Sequence, residues 1–244
     1  MLNGAWLEPL HRALDAAAFP RTFFFRDDDA GWATGRLLAL LDVFAHYEVP
    51  VDVAVIPTAL DDRVAARLRR RAELQPLAFH QHGFAHANHE PAGRPCEFGP
   101  ARPARAQRAD IEAGARRLRE LIGETSPIFT PPWNRCTRTT GQCLVDLGFS
   151  ALARDSSAGR LGLDGLQELE VGVDWSKKDV GVRLAASARE DSPTGVMLHH
   201  ALVGADGRVQ IERLLSLLAS HGNARCVSLS SLASGRPRPA RLTG

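Results

Sequence analysis

The sequence lacks the features that mark several large classes of protein. Lys and Arg number 30 against 28 Asp and Glu, leaving a net charge of only +2, so the basic excess of a general nucleic-acid binder is missing. No uncharged apolar run approaches the ~18 residues of a membrane-spanning helix. Residues 1–21 carry Glu8, His11, Arg12 and Asp15 among their apolar positions, which interrupts the apolar core that a signal peptide needs. The four cysteines, Cys96, Cys136, Cys143 and Cys226, form no C-x-x-C pair and are too few to staple a chain of 244 residues. Reduced thiols in a cytoplasmic protein with neither nucleic-acid nor membrane partner are therefore expected, while none of these features bears on the oligomeric state. What is present is an ordinary globular composition, 44% apolar and 24% charged, which excludes a disordered or fibrous chain. The nine histidines are less ordinary, because six of them, His80, His82, His86, His89, His199 and His200, fall in two short clusters.

Apolar spacing predicts an amphipathic helix over 7–18, built on Leu7, Leu10, Leu14 and Ala18, and then an aromatic strand at 22–25. Further strands are expected at 51–56, 76–79, 127–130, 149–153, 168–173, 195–198 and 226–229. Helices are expected between them at 37–47, 61–73, 107–122, 138–147, 180–189 and 211–220. Continuous apolar strands separated by helices argue for a parallel sheet covered on both faces or closed into a barrel. No linker or repeat divides the chain, so the fold class is α/β, a distorted (β/α)7-8 TIM-like barrel as a single domain over residues 1–233. The tail at 234–244 reads as flexible, and the proline-rich stretch 89–105 as a surface loop of the kind that forms lids.

In such a barrel, chemistry gathers where strands end and loops begin, at the carboxyl edge of the sheet. Arg26, Asp27, Asp28 and Asp29 follow the first expected strand and His80, His82 and His86 follow the third. Thr130 to Asn134 follow the next, and Asp174 with Trp175 and His199 with His200 follow later ones. Three adjacent carboxylates raise one another's pKa unless a cation sits among them. His82 and His86 are spaced i, i+4, which on a helical turn puts both imidazoles on one face, a common two-ligand arrangement for zinc. One carboxylate with two histidines leaves open positions, and a cation held there acidifies water and polarises a carbonyl. Each element alone has a plainer reading, a solvated turn for the aspartates and a strand end for the histidines. Their joint placement is what points to chemistry.

Five segments carry a resemblance to a known family. Phe25-Arg26-Asp27-Asp28-Asp29, His82-Gly83-Phe84-Ala85-His86, Phe129-Thr130-Pro131-Pro132-Trp133, Val173-Asp174-Trp175 and Met197-Leu198-His199 resemble, in order, the five motifs of polysaccharide deacetylases with NodB homology, carbohydrate esterase family 4. The resemblance implies a NodB-type barrel, a divalent metal, commonly Zn2+ with Co2+, Mn2+ or Ni2+ as alternatives, and hydrolysis of an N-acetyl group from an amino sugar. Carried over by position, it makes Asp28 the general base and Asp29 the metal ligand with His82 and His86, a shift to Asp27 and Asp28 being the alternative. His199, or else His200, becomes the acid that protonates the leaving amine, with Asp174 orienting it. Trp133, Pro132, Trp175 and Leu198 would shape the substrate pocket, and a backbone N–H near Trp133 would stabilise the oxyanion.

The departures are informative. Arg26 stands where the family usually has a hydroxyl residue, and Thr130 stands where it usually has the arginine that orients the base, so Arg26 or Arg135 would have to take that role. Gly83 replaces a hydroxyl residue and Ala30 a glycine. These changes place the chain in a divergent branch, for which a small molecule or soluble glycan conjugate suits better than an extracellular polymer. Three functions follow: a deacetylase of an N-acetylated sugar, an allantoinase-like amidase on a non-sugar C–N bond, and a non-catalytic member that binds metal or glycan. A closed pocket under the 89–105 loop favours the second, and an open groove lined by Trp32, Trp133 and Trp175 the first. His80 and His89 are left as either supporting partners or bystanders.

Overall fold

Successive side chains along a strand point to opposite faces, and β1 (Arg21–Ala30) buries both. Phe23 and Phe25 pack outward among helices, while Phe24 packs inward with Ile128, Ala151, Met197 and Leu229. The inward ring needs Gly195, where a Cβ would stand 2.3 Å from Phe24 Cζ. In this computed structural model, which describes residues 4–233, seven further strands join β1 in chain order before the last. They are β2 (Val51–Val55), β3 (Leu77–His82), β4 (Ile128–Thr130), β5 (Ala151–Asp155), β6 (Gln167–Val171), β7 (Val173–Asp174) and β8 (Thr194–His199), and β9 (Ala224–Cys226) follows. The order across the sheet is β6-β5-β4-β3-β2-β1-β8-β7, every pair parallel, with β9 beside the start of β1. Its two outer strands, β6 and β7, are separated in sequence by Gly172 alone, so the sheet curls into a nearly closed barrel.

Helices α1 (Glu8–Asp15), α2 (Thr34–His46), α3 (Asp62–Ala72), α4 (Ala104–Ile122), α5 (Arg138–Asp146), α6 (Val180–Ser187) and α7 (Ala205–Ser220) pack around it. Their ends follow ordinary capping chemistry. Asp61 accepts the Val64 N–H at the start of α3, and Thr137 and Thr140 form a reciprocal box at the start of α5. Among the described residues no helix is long and apolar enough to cross a membrane.

The barrel expected from the sequence is the one found, with four local corrections. β1 runs on to Ala30, so Arg26 to Asp29 lie on the strand and not beyond it. β3 likewise extends through His82. The strand expected at 226–229 splits into the end of β9 and a short helix α8 (Leu229–Ala233) that closes the barrel floor with Leu229. The stretch 89–105 is pinned and is no free lid: Cys96, Glu97 and Phe98 are buried, and Asn88 Oδ1 accepts from Glu90 N and Cys96 N. The tail at 234–244 lies outside the described residues.

Asp52 was hidden inside an apolar strand pattern. Its carboxylate, fully buried, accepts from Leu229 N at 2.6 Å and Ser230 N at 3.2 Å and so fastens α8 to β2. Burial outweighs these bonds and pushes its pKa up to about 7. The folded state therefore holds a proton that the unfolded chain releases near pH 4. This contribution to stability is complete below about pH 4 and is lost as pH rises toward 7. Asp52→Asn should remove that slope: the unfolding free energy of wild type relative to the variant should fall between pH 4 and pH 7 by at most about 4 kcal/mol, at about 1.4 kcal/mol per unit. Urea denaturation across that range measures it, and parallel curves would exclude a raised Asp52.

Candidate metal and catalytic centre

Two neighbouring aspartates on a regular strand point to opposite faces, so β1 as such could not bring both Asp28 and Asp29 to one site. The backbone solves this at Asp29, which adopts the left-handed region at φ 69° where the register with β2 slips between Asp27 and Ala30. Asp28 keeps the inward direction of Phe24 and Arg26, and Asp29 is re-aimed to meet the histidines. Its Oδ1 lies 3.1 Å from His82 Nε2 and 3.3 Å from His86 Nε2.

The two histidines converge without the helical turn that their spacing suggested. His82 ends β3, and a loop in which Gly83 and His86 have φ of 56° and 54° turns His86 back toward it. Glu97 clamps that loop, with Oε2 accepting the Phe84 N–H at 3.1 Å and Oε1 the Ala85 N–H at 2.7 Å. Gly83 is needed sterically as well, because a Cβ there would stand 2.2 Å from Glu97 Oε2 and 2.6 Å from Pro132. Pro132 is buried against the ligand loop at Gly83.

The donors suit a divalent cation. His82 Nδ1 sits 3.0 Å from the Thr130 carbonyl, which only accepts, so Nδ1 carries a proton, and Nε2, facing Asp29, is the nitrogen that would give its lone pair to a cation. A carboxylate oxygen and two imidazole nitrogens within 4.8 Å of one another fit a zinc-like ion and leave further positions open. A second group, His11, Asp15 and His221, fails the same test. The Asn223 N–H donates to His221 Nδ1, so Nε2 is the protonated nitrogen and donates to Asp15. At the first group, burial raises the Asp29 carboxyl, but hydrogen bonding and charge from His82 outweigh it and hold the group at about 2. Burial pushes His86 down, further lowered by His82.

Beside this group stands Asp28, gripped by Arg26. Nη2 donates to Asp28 Oδ2 at 2.9 Å; Nε lies 2.8 Å from Oδ1 but off the N–H axis, an ion contact rather than an aligned hydrogen bond. Burial alone would raise Asp28, and the Arg26 charge, aided by His82 and His199, brings it below the usual carboxylate range. Arg26 is therefore the arginine that addresses Asp28, whereas Arg135 donates to the Pro95 carbonyl. Asn134 supports the guanidinium, its Oδ1 accepting from Arg26 Nη2 and from Asp155 N. Across the sheet, His199 is the register partner of Asp28 on β8.

Several expected members stand elsewhere. Asp27 points away from the centre and binds His200, with Oδ2 2.7 Å from Nδ1. The other His200 nitrogen faces the Trp32 carbonyl at 2.9 Å, so both carry protons against acceptors. Burial opposes this imidazolium, but Asp27 holds the pKa raised, and the fully buried ring can neither bind substrate nor shuttle a proton. Asp174 accepts from Ser176 N and Oγ and pairs with Lys177, so it does not orient His199, whose Nδ1 is buried without a partner among the described residues. Leu198 is buried on the opposite face, among the helices. Trp175 meets Trp6 edge-on at 5.8 Å. Trp133 and Trp32 do flank the centre, their rings 4.4 and 5.0 Å from His86. His80 is buried inside the barrel, where desolvation and the Arg26 charge push it down to about 3, and His89 is exposed on the outer loop. Glu97 gave no signal in the sequence, and Asn134 and Thr130 only a place at a strand end; the glycine at position 83 is explained by the crowding that Glu97 and Pro132 impose.

Glu97→Gln would turn an amide N–H against one of two backbone donors. It should cost about 1–3 kcal/mol of stability and weaken zinc binding roughly ten-fold, read by urea denaturation and calorimetric titration. Gly83→Ala should be worse on both measurements, because its Cβ overlaps Glu97 while the backbone is left-handed.

Comparison with known proteins fits this geometry. The sequence profile of the polysaccharide deacetylase family matches residues 22–152. No curated protein matches the chain. Among solved structures, a putative polysaccharide deacetylase from Mycobacterium smegmatis superposes with a TM-score of 0.69 at 16% identity, covering 90% of this chain and 91% of that one. A family 4 acetyl xylan esterase from Clostridium thermocellum, in complex with a cobalt ion, gives 0.63 at 15% identity over 89% and 93%. A CE4-family pseudoenzyme from Bacillus anthracis gives 0.62 at 11% identity over 88% and 66%. At these identities the structures speak for the fold. The profile spans more than half of the residues and contains both the aspartate run and the histidine pair, and on that ground the chain belongs to the polysaccharide deacetylase family.

Proposed function

We propose that this protein is a divalent-cation-dependent deacetylase that hydrolyses the acyl amide of an N-acetylated sugar or sugar conjugate. The observation that carries the reading is the buried pairing of Arg26 with Asp28 next to the convergent Asp29, His82 and His86. An ionised carboxylate at 1% exposure, aimed by a guanidinium beside the cation ligands, is suited to accept a proton there. Asp29, His82 and His86 would hold the cation, Zn2+ or alternatively Co2+, Mn2+ or Ni2+, which when bound supplies a Lewis acid that acidifies water and polarises the acyl carbonyl.

The chain's own residues then divide the proton work. Asp28 takes a proton from the attacking water as its oxygen bonds to the acyl carbon and the carbonyl electrons move onto oxygen. Arg26 keeps Asp28 ionised and aimed, and a backbone N–H near Trp133 would stabilise the developing oxyanion. As the C–N bond breaks, protonated His199 gives a proton to the leaving nitrogen, and the proton held by Asp28 then passes to His199, which returns both groups to their starting states. The products are acetate and a free amine.

The entrance supports a sugar. Trp32 is 43% exposed beside His86, and with Trp133 it offers flat apolar faces of the kind sugar rings stack on. Glu97 ties the 89–105 stretch to the loop that carries His86, so that stretch is no free lid over them. This favours an open cleft over the small sealed pocket expected of an allantoinase-like amidase.

Acetate release from a panel of N-acetyl sugars, after loading with zinc, cobalt or manganese, tests the proposal; absence of hydrolysis with every cation and substrate would overturn it. Asp28→Asn should retain the cation and lose about 10²–10⁴-fold in kcat, whereas His82→Ala should lose the cation itself. Arg26→Lys keeps the charge but cannot grip both oxygens. Since Arg26 lowers the Asp28 pKa, the acidic limb of the kcat/KM profile should move to higher pH in that variant.

A further inference from the structure

One buried histidine has no task in the chemistry above. His80 lies on β3 two residues before His82, so both rings face the barrel interior, and it is fully buried. Its Nε2 stands 2.9 Å from Thr130 Oγ1. Thr130 is in turn the register partner of His82 across β3 and β4, and its carbonyl accepts both His82 Nδ1–H and the Gly83 N–H, each at 3.0 Å.

We propose that His80 is a positioning residue for the cation site, acting through Thr130 to fix the ring and tautomer of His82. The inference rests on reading Asp29, His82 and His86 as that site. Its logic is mechanical. β4 is three residues long, pairs with β3 only at Phe129 and Thr130, and is followed at once by two prolines that donate no hydrogen bonds. The terminal carbonyl that orients His82 thus sits on the last residue of a short strand. A tie from the Thr130 hydroxyl to the fully buried His80 ring restrains that end, and the stiff χ1 of a β-branched residue passes the restraint to the backbone. If His80 merely filled space, the hydroxyl would not matter.

Cobalt titration of the purified full-length protein, followed by calorimetry and by the visible absorption of the bound ion, separates the two possibilities. Thr130→Val, equal in shape but lacking the hydroxyl, should weaken cobalt binding ten-fold or more and alter the absorption band as His82 reorients. Thr130→Ser, which keeps the hydroxyl but not the branched Cβ, should recover a substantial part of both. His80→Phe, which refills the volume, should match Thr130→Val, and the double variant should bind no more weakly than either single one, as expected of residues acting in series. Folded Thr130→Val or His80→Phe protein with wild-type affinity and spectrum would overturn the proposal, as would losses that multiply in the double variant. Should His80→Phe not fold, the Thr130→Val and Thr130→Ser pair decides alone. If wild type itself takes up no cobalt, the cation-site reading fails and this inference falls with it; wild-type binding unaffected at position 130 sinks the inference alone.

Discussion

The Arg26–Asp28 ion pair is the constraint around which the upper half of the barrel is organised. A guanidinium at zero exposure cannot stand alone, because an uncompensated buried charge costs several kcal/mol. Asp28 neutralises it from the same strand, Asn134 supports it from the turn after β4, and Met197 Sδ lies 2.9 Å from Nη2 on β8. Asn134 also accepts from Asp155 N at the end of β5. Strands that are far apart in sequence are thus drawn to one cation of the protein's own. Removing either partner would expose the other to the full desolvation cost, about 3–5 kcal/mol, so the group that orients the proposed base also holds the barrel mouth in shape.

That pair also accounts for the two departures from the usual family pattern. The motif resemblance would place a hydroxyl at the position of Arg26 and an arginine at that of Thr130; here the arginine stands on β1 and the hydroxyl on β4. Arg26 reaches Asp28 from β1 itself, two residues away on the same face. The hydroxyl now stands on β4, where it meets His80 instead of a carboxylate. Either departure alone would leave a buried group without its partner, an aspartate in one case and a guanidinium in the other. Together they conserve the charge arrangement, which is why the departures leave the proposed base intact. Gly83 is a third change of the same sort: a larger residue would collide with Glu97, and Glu97 supplies two acceptors to the backbone that carries His86.

Much of this was legible in the sequence because it was written in pattern. Apolar runs and their spacing gave the alternating strands and helices, and the aspartate and histidine clusters stood at the strand ends where a barrel collects its chemistry. What escaped was fixed by tertiary placement. Asp52 looks like a stray polar residue in an apolar strand until α8 arrives above it. Glu97 sits in a stretch whose prolines suggested a lid, and its role depends on two backbone N–H groups twelve and thirteen residues earlier. His200 and Asp174 were mistaken for working groups because sequence neighbours of a site share its address but not its direction. One residue along a strand reverses the face, which sends Leu198 into the helix layer and leaves His199 beside Asp28.

The same reversal explains where the backbone is strained. Seven non-glycine residues have positive φ among those described, and four of them, Asp29, His86, Trp133 and Asn134, belong to this centre. A left-handed conformation costs an L-residue roughly 1–2 kcal/mol, so four at one site need a reason. Alternation would scatter the donors of consecutive residues to both faces of the sheet. A left-handed residue breaks the alternation and folds the next donor back: Asp29 returns beside Asp28, His86 beside His82, and Trp133 with Asn134 turns the chain so that one ring flanks His86 while the adjacent amide reaches Arg26. The bends at His86 and at Trp133 with Asn134 are held by bonds made elsewhere, from Glu97, the Thr130 carbonyl and Asp155 N, and at Asp29 the Trp32 N–H donates to the Asp29 carbonyl at 3.2 Å. Strain that survives only because its surroundings over-determine it is the mark of a site whose geometry matters more than its local stability.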